Sequence, residues 1–156
     1  MKSILPLLFT VCLFACNNDN QTKNVNTSPG SSSSSASSLS NISGHWEGNF
    51  SNGYKGAKIS FDITEDQKEL KELTFQGYWR CDGKLDLTTL GPEKAFSIRN
   101  NKVDGVIAEP EGGGATAVRF ELHANIIADS TTGTFRMNLN GLGCDTYVLN
   151  FTATKK

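Results

Sequence analysis

Histidine and cysteine are the residue types in this chain that could carry acid–base or nucleophilic chemistry near neutral pH. The chain of 156 residues holds two histidines, His45 and His123, and four cysteines. Both histidines fall on the polar side of alternating runs, where a solvated imidazole is expected more often than a catalytic base. No HExxH, GxSxG or cysteine–histidine zinc spacing is present. We therefore predict no catalytic residue, no metal site and no cofactor.

The first residues have the order of a secretory signal peptide. One positive charge, Lys2, precedes an apolar run over residues 4–14 that is too short to span a bilayer stably. The run ends in Leu13-Phe14-Ala15-Cys16, which resembles the bacterial lipobox. The resemblance implies cleavage immediately before Cys16 and a diacylglyceryl group on its thiol, and several acyl chains together anchor a protein stably. An ordinary secretory signal is the alternative.

The cysteines fall into two groups along the chain. Cys12 lies in the apolar signal segment and leaves with it, and Cys16 has the lipidation role. Cys81 and Cys144 remain as the pair of the mature domain. In an oxidising compartment such a pair predicts one disulfide, with two buried free thiols as the alternative. Closing a loop of this size stabilises a domain by roughly 4 kcal/mol.

A serine-rich segment separates the lipidation site from the rest of the chain. Residues 31–40 are all serine except Ala36 and Leu39. Such a segment cannot bury enough apolar surface to offset its ordering entropy, so we expect a disordered tether with a reach of roughly 28 Å. The predicted organisation is a signal peptide over 1–15, a lipidated cysteine and tether over 16–41, and a folded domain over 42–156.

The folded domain shows apolar and polar residues in strict alternation, which is typical of strands with one buried face. Only residues 65–73 are compatible with a helical turn, and Gly112-Gly113-Gly114 and residues 130–133 are predicted turns. We predict an all-β antiparallel meander of eight or nine strands that forms a small barrel or sandwich. The clearest runs cover residues 59–63, 73–81, 118–126, 135–139 and 147–153, and weaker ones cover residues 45–50, 84–90, 95–99 and 102–108.

Two family resemblances accompany this pattern. The first is to secreted bacterial β-domains of no established activity, and it implies the fold and the disulfide without any catalytic residue. Its motifs are Gly44-His45-Trp46-Glu47-Gly48, Cys81, Ser97-Ile98-Arg99-Asn100-Asn101, Thr132-Gly133-Thr134, Cys144-Asp145-Thr146 and Phe151-Thr152-Ala153. The second is to calycins, whose Gly-x-Trp is similar to Gly44-His45-Trp46. That resemblance implies that Trp46 closes a barrel around a small apolar ligand.

Charge and surface residues narrow the classes of partner. Fifteen Lys and Arg against 16 Asp and Glu, without long runs of one sign, argue against nucleic acid and against a polybasic membrane patch. Tyr78 shares its face with Gln76 and Arg80, a mixture suited to a sugar or a peptide. Trp46 and Tyr78 are thus the candidate ligand-contact or barrel-closing residues, with Tyr54 a further aromatic of interest.

The predicted function is that of a noncatalytic lipoprotein of the bacterial cell envelope, at the outer membrane or the cell surface. Its membrane contact is the N-terminal lipid, and its β-domain contributes to envelope structure or binds a macromolecule, either a protein or a glycan. The alternative is a calycin-like carrier of a small apolar ligand. A hydrolase is the third hypothesis.

Overall fold

The computed structural model describes residues 40–156, so the predicted signal peptide, Cys16 and nearly all of the predicted tether lie outside the described residues. In the described part the backbone forms a 10-stranded antiparallel sheet, one short 3-10 turn and no α-helix, and no helix there could cross a bilayer. The all-β prediction is confirmed. The elements are β1 Gly44–Phe50, β2 Lys58–Ile63, β3 Glu69–Cys81, β4 Lys84–Leu90, β5 Phe96–Arg99, β6 Lys102–Glu109, β7 Val118–Ile127, β8 Ser130–Leu139, the 3-10 turn Asn140–Leu142, β9 Cys144–Asp145 and β10 Leu149–Lys155.

The sheet closes on itself. Strand β10 pairs with β1 along one edge and with β8 along the other, so the order β1-β2-β3-β5-β6-β7-β8-β10 returns to β1. Every pairing in this ring is antiparallel, as expected for a meander of short strands joined by turns. Of the two predicted architectures, the barrel is therefore the one that forms.

Strands β4 and β9 extend the barrel at one end. The 13-residue β3 pairs through its first residues with β5 and through its second half with β4. The two-residue β9 lies between β3 and β8, where Asp145 pairs with Arg80 on one side and with Asn138 on the other. The predicted disulfide is confirmed, and it joins Cys81, the last residue of β3, to Cys144 in β9. This end of the barrel is thus tied together both by backbone pairing and by a covalent bridge.

Large side chains occupy the barrel interior. The rings of Phe75 and Phe135 are stacked with centroids 5.5 Å apart, and Phe50 packs between them and Phe151. The buried positions alternate with more exposed ones along β2, β7 and β10, as the sequence pattern predicts. Each fully buried Phe or Leu contributes roughly 1.5–3 kcal/mol through the removal of apolar surface from water. The largest fully buried residues are Trp46, Phe61, Phe75, Phe120, Phe135 and Phe151.

In two segments the local structure differs from what the sequence suggests. Residues 65–73 form no helical turn, because Asp66 accepts hydrogen bonds from the Thr64 hydroxyl at 2.7 Å and from the Lys68 amide at 3.2 Å, which closes a tight turn just before β3. Residues 130–133 form the start of β8 rather than a turn, since their β-branched threonines extend the pairing with β7. The actual reversal falls at Ala128, which has a φ of 52°.

Candidate functional site

The two candidate residues of the sequence lie in different environments. Trp46 is 0% exposed, stacks on Phe61 with centroids 6.0 Å apart, and donates its indole N–H to the Ile42 carbonyl at 3.0 Å. The indole nitrogen is therefore satisfied inside the core, as buried polar groups require. Tyr78 instead points outward from β3 and is 40% exposed. The structure does not bring these two residues together.

The tyrosines of the chain do come together. The sequence contains three of them, Tyr54, Tyr78 and Tyr147, and all three line one groove of about 330 Å³. Their exposures are 41%, 40% and 61%. We call this surface the tyrosine groove, and its other lining residues are Asn52, Gly53, Arg80, Asp145, Thr146, Val148 and Leu149.

Two of the tyrosines hold each other in place. The rings of Tyr54 and Tyr78 meet edge to face, with centroids 6.0 Å apart and an interplanar angle of 64°. Arg80 donates one guanidinium N–H to the Tyr54 hydroxyl at 3.3 Å and another to the Gly83 carbonyl at 3.3 Å. Edge-to-face pairs contribute about 0.5–1.5 kcal/mol beyond area burial. The loop that carries Tyr54 is thereby fixed to β3.

The third tyrosine has an unusual backbone. Tyr147 has a φ of 58°, in the left-handed region that bulky residues rarely adopt. Its amide donates to Asp145 Oδ1 at 2.7 Å, and its carbonyl accepts a hydrogen bond from the Thr146 hydroxyl at 2.9 Å. Non-glycine residues held in this region cost of order 1–3 kcal/mol and cluster at functional sites. The prediction that Tyr147 belongs to the last strand is wrong, because β10 begins only at Leu149.

Ion pairing neutralises the carboxylate of the groove. Arg136 binds Asp145 with two hydrogen bonds, from Nε to Oδ1 at 3.1 Å and from Nη2 to Oδ2 at 2.6 Å. This hydrogen bonding to Asp145 raises the pKa of Arg136 above its ordinary value. Within residues 40–156, no carboxylate forms an ion pair with Arg80. The groove therefore presents one guanidinium whose remaining N–H groups face water.

The amide of Asn52 ties the Tyr54 loop to the start of β10. Its Nδ2 donates to the Val148 carbonyl at 2.9 Å, and its Oδ1 accepts from the Asn150 amide at 2.6 Å. Buried or half-buried backbone groups need such partners. The Val148 carbonyl in the groove wall, and the Asn150 amide next to it, consequently have hydrogen-bond partners within the protein.

The groove and the N-terminus of the described chain lie at opposite ends of the barrel. Strand β1 begins at Gly44 beside the N-terminal residues 40–43 and ends at Phe50, four residues before Tyr54. A strand rises about 3.3 Å per residue, so these ends are roughly 20 Å apart along β1. Strand β10 runs back from the groove to Lys155, which pairs with Trp46 near the N-terminus.

His45 lies on the outer wall of the barrel. Its Nδ1 is 2.6 Å from Asp62 Oδ1, and its Nε2 is 3.6 Å from Glu47 Oε1. The hydrogen bond with Asp62 raises the pKa of His45 above its ordinary value of 6.5. The imidazole and the two carboxylates form an exposed cluster on the outer wall.

His123 has a similar setting on another face of the wall. Its Nδ1 is 2.8 Å from Asp104 Oδ1, and its Nε2 is 3.2 Å from Glu121 Oε1. The hydrogen bond between His123 Nε2 and Glu121 lowers the pKa of Glu121. No group of three or more His, Cys, Asp or Glu suited to a metal ion occurs in residues 40–156.

Part of the groove could have been found from the sequence. Tyr78 lies three residues before Cys81, and Tyr147 lies three residues after Cys144. Because the predicted disulfide brings these cysteines together, it also predicts that the two tyrosines approach each other. The contribution of Tyr54 depends on the course of the loop after β1, and no local sequence signal indicates it.

Comparison of the chain with protein-family models, with curated proteins and with solved structures found no match. The resemblances to secreted bacterial β-domains and to calycins therefore stay predictions, and the groove has to be interpreted from its own geometry.

Proposed function

We propose that this protein is a noncatalytic recognition module, which the lipid on Cys16 holds at the bacterial cell envelope and which binds an extracytoplasmic macromolecule through the tyrosine groove. One observation carries the proposal: the exposed side chains of Tyr54, Tyr78 and Tyr147 line the same groove. Tyrosine offers a large rigid contact area at low entropic cost, which is why it is enriched at binding surfaces.

The position of the groove fits display from a lipid anchor. Residues 40–43 precede β1 at one end of the barrel, and the tyrosine groove lies past the other end of β1. The groove is therefore remote from residue 40, where the described chain begins, and this position supports its use for contact with a large partner.

The packed interior favours recognition over transport of a small apolar ligand. A barrel that carries such a ligand needs inward residues too small to fill it. Here Trp46, Phe75 and Phe135 are fully buried. Trp46, the residue that would close a calycin-like barrel, stacks on Phe61. A ligand would have to displace this aromatic core.

The proposal is tested with the lipidated protein in nanodiscs, mixed with the insoluble envelope fraction of the cells that produce it. We expect the protein to co-sediment with the fraction, and we expect Tyr54→Ala/Tyr78→Ala to lower the binding at least tenfold. The matched control is Val106→Ala/Ile127→Ala, which truncates two exposed apolar residues outside the groove lining. Circular dichroism checks that both variants fold. Equal binding by the two variants, or no binding by the wild type, would contradict the proposal.

The anchor has its own test. Metabolic palmitate labelling and globomycin-sensitive processing should both be present in the wild type and absent in Cys16→Ala. If the Cys16→Ala protein stays in the membrane fraction to the same extent as the wild type, the lipid anchor is wrong.

A further inference from the structure

We infer that the ligand of the tyrosine groove is a neutral glycan, one of whose pyranose rings stacks against the tyrosines. This inference deepens the proposed function and rests on it, since it names the chemical class of the macromolecule. Three independent features of the groove lead to it: the aromatic rings, the state of the backbone and the balance of charge.

The aromatic rings suit a pyranose. A pyranose ring has an apolar face of C–H groups and hydroxyls around its edge. A protein binds it through a flat apolar surface, such as an aromatic ring, with hydrogen-bonding groups around that surface. Tyr54, Tyr78 and Tyr147 supply exposed rings that carry hydroxyls, and Arg80 adds guanidinium donors beside the Tyr54 hydroxyl. Small sites of this kind combine apolar lining with a few placed polar groups, and a groove of about 330 Å³ falls at the lower end of their size range.

The backbone of the groove is poorly suited to an extended peptide. Peptides that lie along a sheet bind mainly through hydrogen bonds to a free strand edge. In the groove, Arg80 is paired with β4 on one edge and with β9 on the other. The Tyr147 amide and carbonyl and the Val148 carbonyl already have side-chain partners. A peptide would therefore find few backbone groups with which to pair.

The charges of the groove suit a ligand without net charge. Asp145 is neutralised by the two hydrogen bonds from Arg136, and two N–H groups of Arg80 are already engaged by Tyr54 and Gly83. Recognition of an anionic polymer generally uses several cations, each free to pair with the ligand. One partly engaged arginine instead matches the hydroxyl oxygens of a neutral sugar.

The rings of Tyr54 and Tyr78, and the backbone of Tyr147, are held in place before a ligand binds. Tyr54 is held by Tyr78 and Arg80, and Tyr147 is held in a left-handed conformation by Asp145 and Thr146. A surface that is ordered before binding loses less side-chain entropy on association. This preorganisation lets a single sugar ring, which offers little area, gain useful affinity.

The test uses the lipidated protein in nanodiscs and the same envelope fraction, either untreated or digested exhaustively with protease. Oligosaccharides released from the fraction by mild acid are separated by anion exchange into a neutral and an anionic pool, which serve as soluble competitors. We expect binding to survive the protease and to be displaced by the neutral pool. We also expect Tyr78→Ala to weaken binding at least tenfold, and Tyr78→Phe, which keeps the ring, to weaken it no more than about threefold.

The outcomes separate the two proposals. Binding to the untreated fraction that depends on Tyr54 and Tyr78 but is abolished by protease, or is displaced by the anionic pool alone, overturns the glycan inference and leaves the recognition module standing. Absence of groove-dependent binding to the untreated fraction overturns both. Similar losses in Tyr78→Phe and Tyr78→Ala would also overturn ring stacking, because the hydroxyl would then be the group that matters.

Discussion

The interior of the barrel and the tyrosine groove use aromatic residues in opposite ways. Phe75 and Phe135 are buried and stacked on each other in the core, whereas Tyr54, Tyr78 and Tyr147 are exposed at one end. Phenylalanine and tyrosine differ by one hydroxyl, and a buried hydroxyl needs a hydrogen-bond partner that an apolar core does not offer. The division indicates that one set of rings stabilises the fold and the other is available for contact.

The two regions also differ in how their rings are held. Core rings are fixed by dense packing on all sides, so a lost ring leaves a cavity. In the groove, Tyr54 is held by a hydrogen bond from Arg80 and by contact with the Tyr78 ring, and the backbone of Tyr147 is held by Asp145. We therefore expect substitutions in the core to act on stability, and substitutions in the groove to act on binding.

The largest effect is expected in the core. Phe135→Ala removes a ring that stacks on Phe75 and contacts Phe50, and it should lower the free energy of unfolding by about 3–5 kcal/mol. Urea denaturation followed by circular dichroism measures the change. A loss below about 1 kcal/mol would mean that the interior is less densely packed than the contacts indicate, and the distinction between the two regions would fail.

The disulfide lies at the groove end of the barrel and should affect both stability and binding. Cys81→Ser/Cys144→Ser removes the bridge between β3 and β9, which closes a loop with a sequence separation of 63 residues. In the chain-entropy model the unfolding free energy should fall by about 4 kcal/mol. Envelope binding should weaken as well, because Tyr147 follows β9 closely. Urea denaturation with and without reductant gives the same comparison in the wild type, and equal midpoints would contradict the prediction.

A smaller effect on stability is expected in the groove. Tyr54→Ala/Tyr78→Ala removes one edge-to-face pair and one hydrogen bond at a half-exposed site, so the unfolding free energy should fall by less than about 2 kcal/mol. Binding to the envelope fraction should nevertheless fall at least tenfold. If instead the variant loses as much stability as Phe135→Ala, the groove tyrosines are part of the core in energetic terms.

The smallest effect is expected on the outer wall, away from both regions. The pKa of His45 is raised in the folded protein by its hydrogen bond with Asp62, so its contribution to stability is present in full below pH 6.5 and is lost as the pH rises through the raised value. Both side chains are partly exposed, so His45→Gln should cost less than about 1 kcal/mol at about pH 5.5 and less still at about pH 8.5. Unfolding midpoints of the wild type and of His45→Gln at the two pH values measure the loss of stability. A larger loss at the higher pH would contradict the prediction.

Most strands could be predicted because their signal is local. Strand β4, Lys84–Leu90, matches its predicted range, and strand β7, Val118–Ile127, extends its predicted range by one residue. Along β7, the alternation of apolar and polar residues sets which face is buried. The local predictions are less accurate where side-chain hydrogen bonds determine the conformation of the backbone. Thr64 and Asp66 close a tight turn in a segment that was compatible with a helical turn, and Asp145 holds Tyr147 outside the last strand.

The candidate site was predictable only in part. Tyr78 and Arg80 share a face of β3 because residues two apart in a strand point the same way. The approach of Tyr54 depends on the loop between β1 and β2, which Asn52 ties to residues 148 and 150. Contacts separated by nearly a hundred residues leave no periodic signal in the chain.

The sequence by itself determined the strands, the buried face of most of them and the pairing of Cys81 with Cys144, because each follows from local alternation or from the count of cysteines. The tertiary structure alone decided that the sheet closes through β8 and β10 and that three tyrosines meet at one end. The physical reason is that closure and convergence depend on the twist, stagger and distant pairing of whole strands, which hydrophobic periodicity within a single strand does not specify.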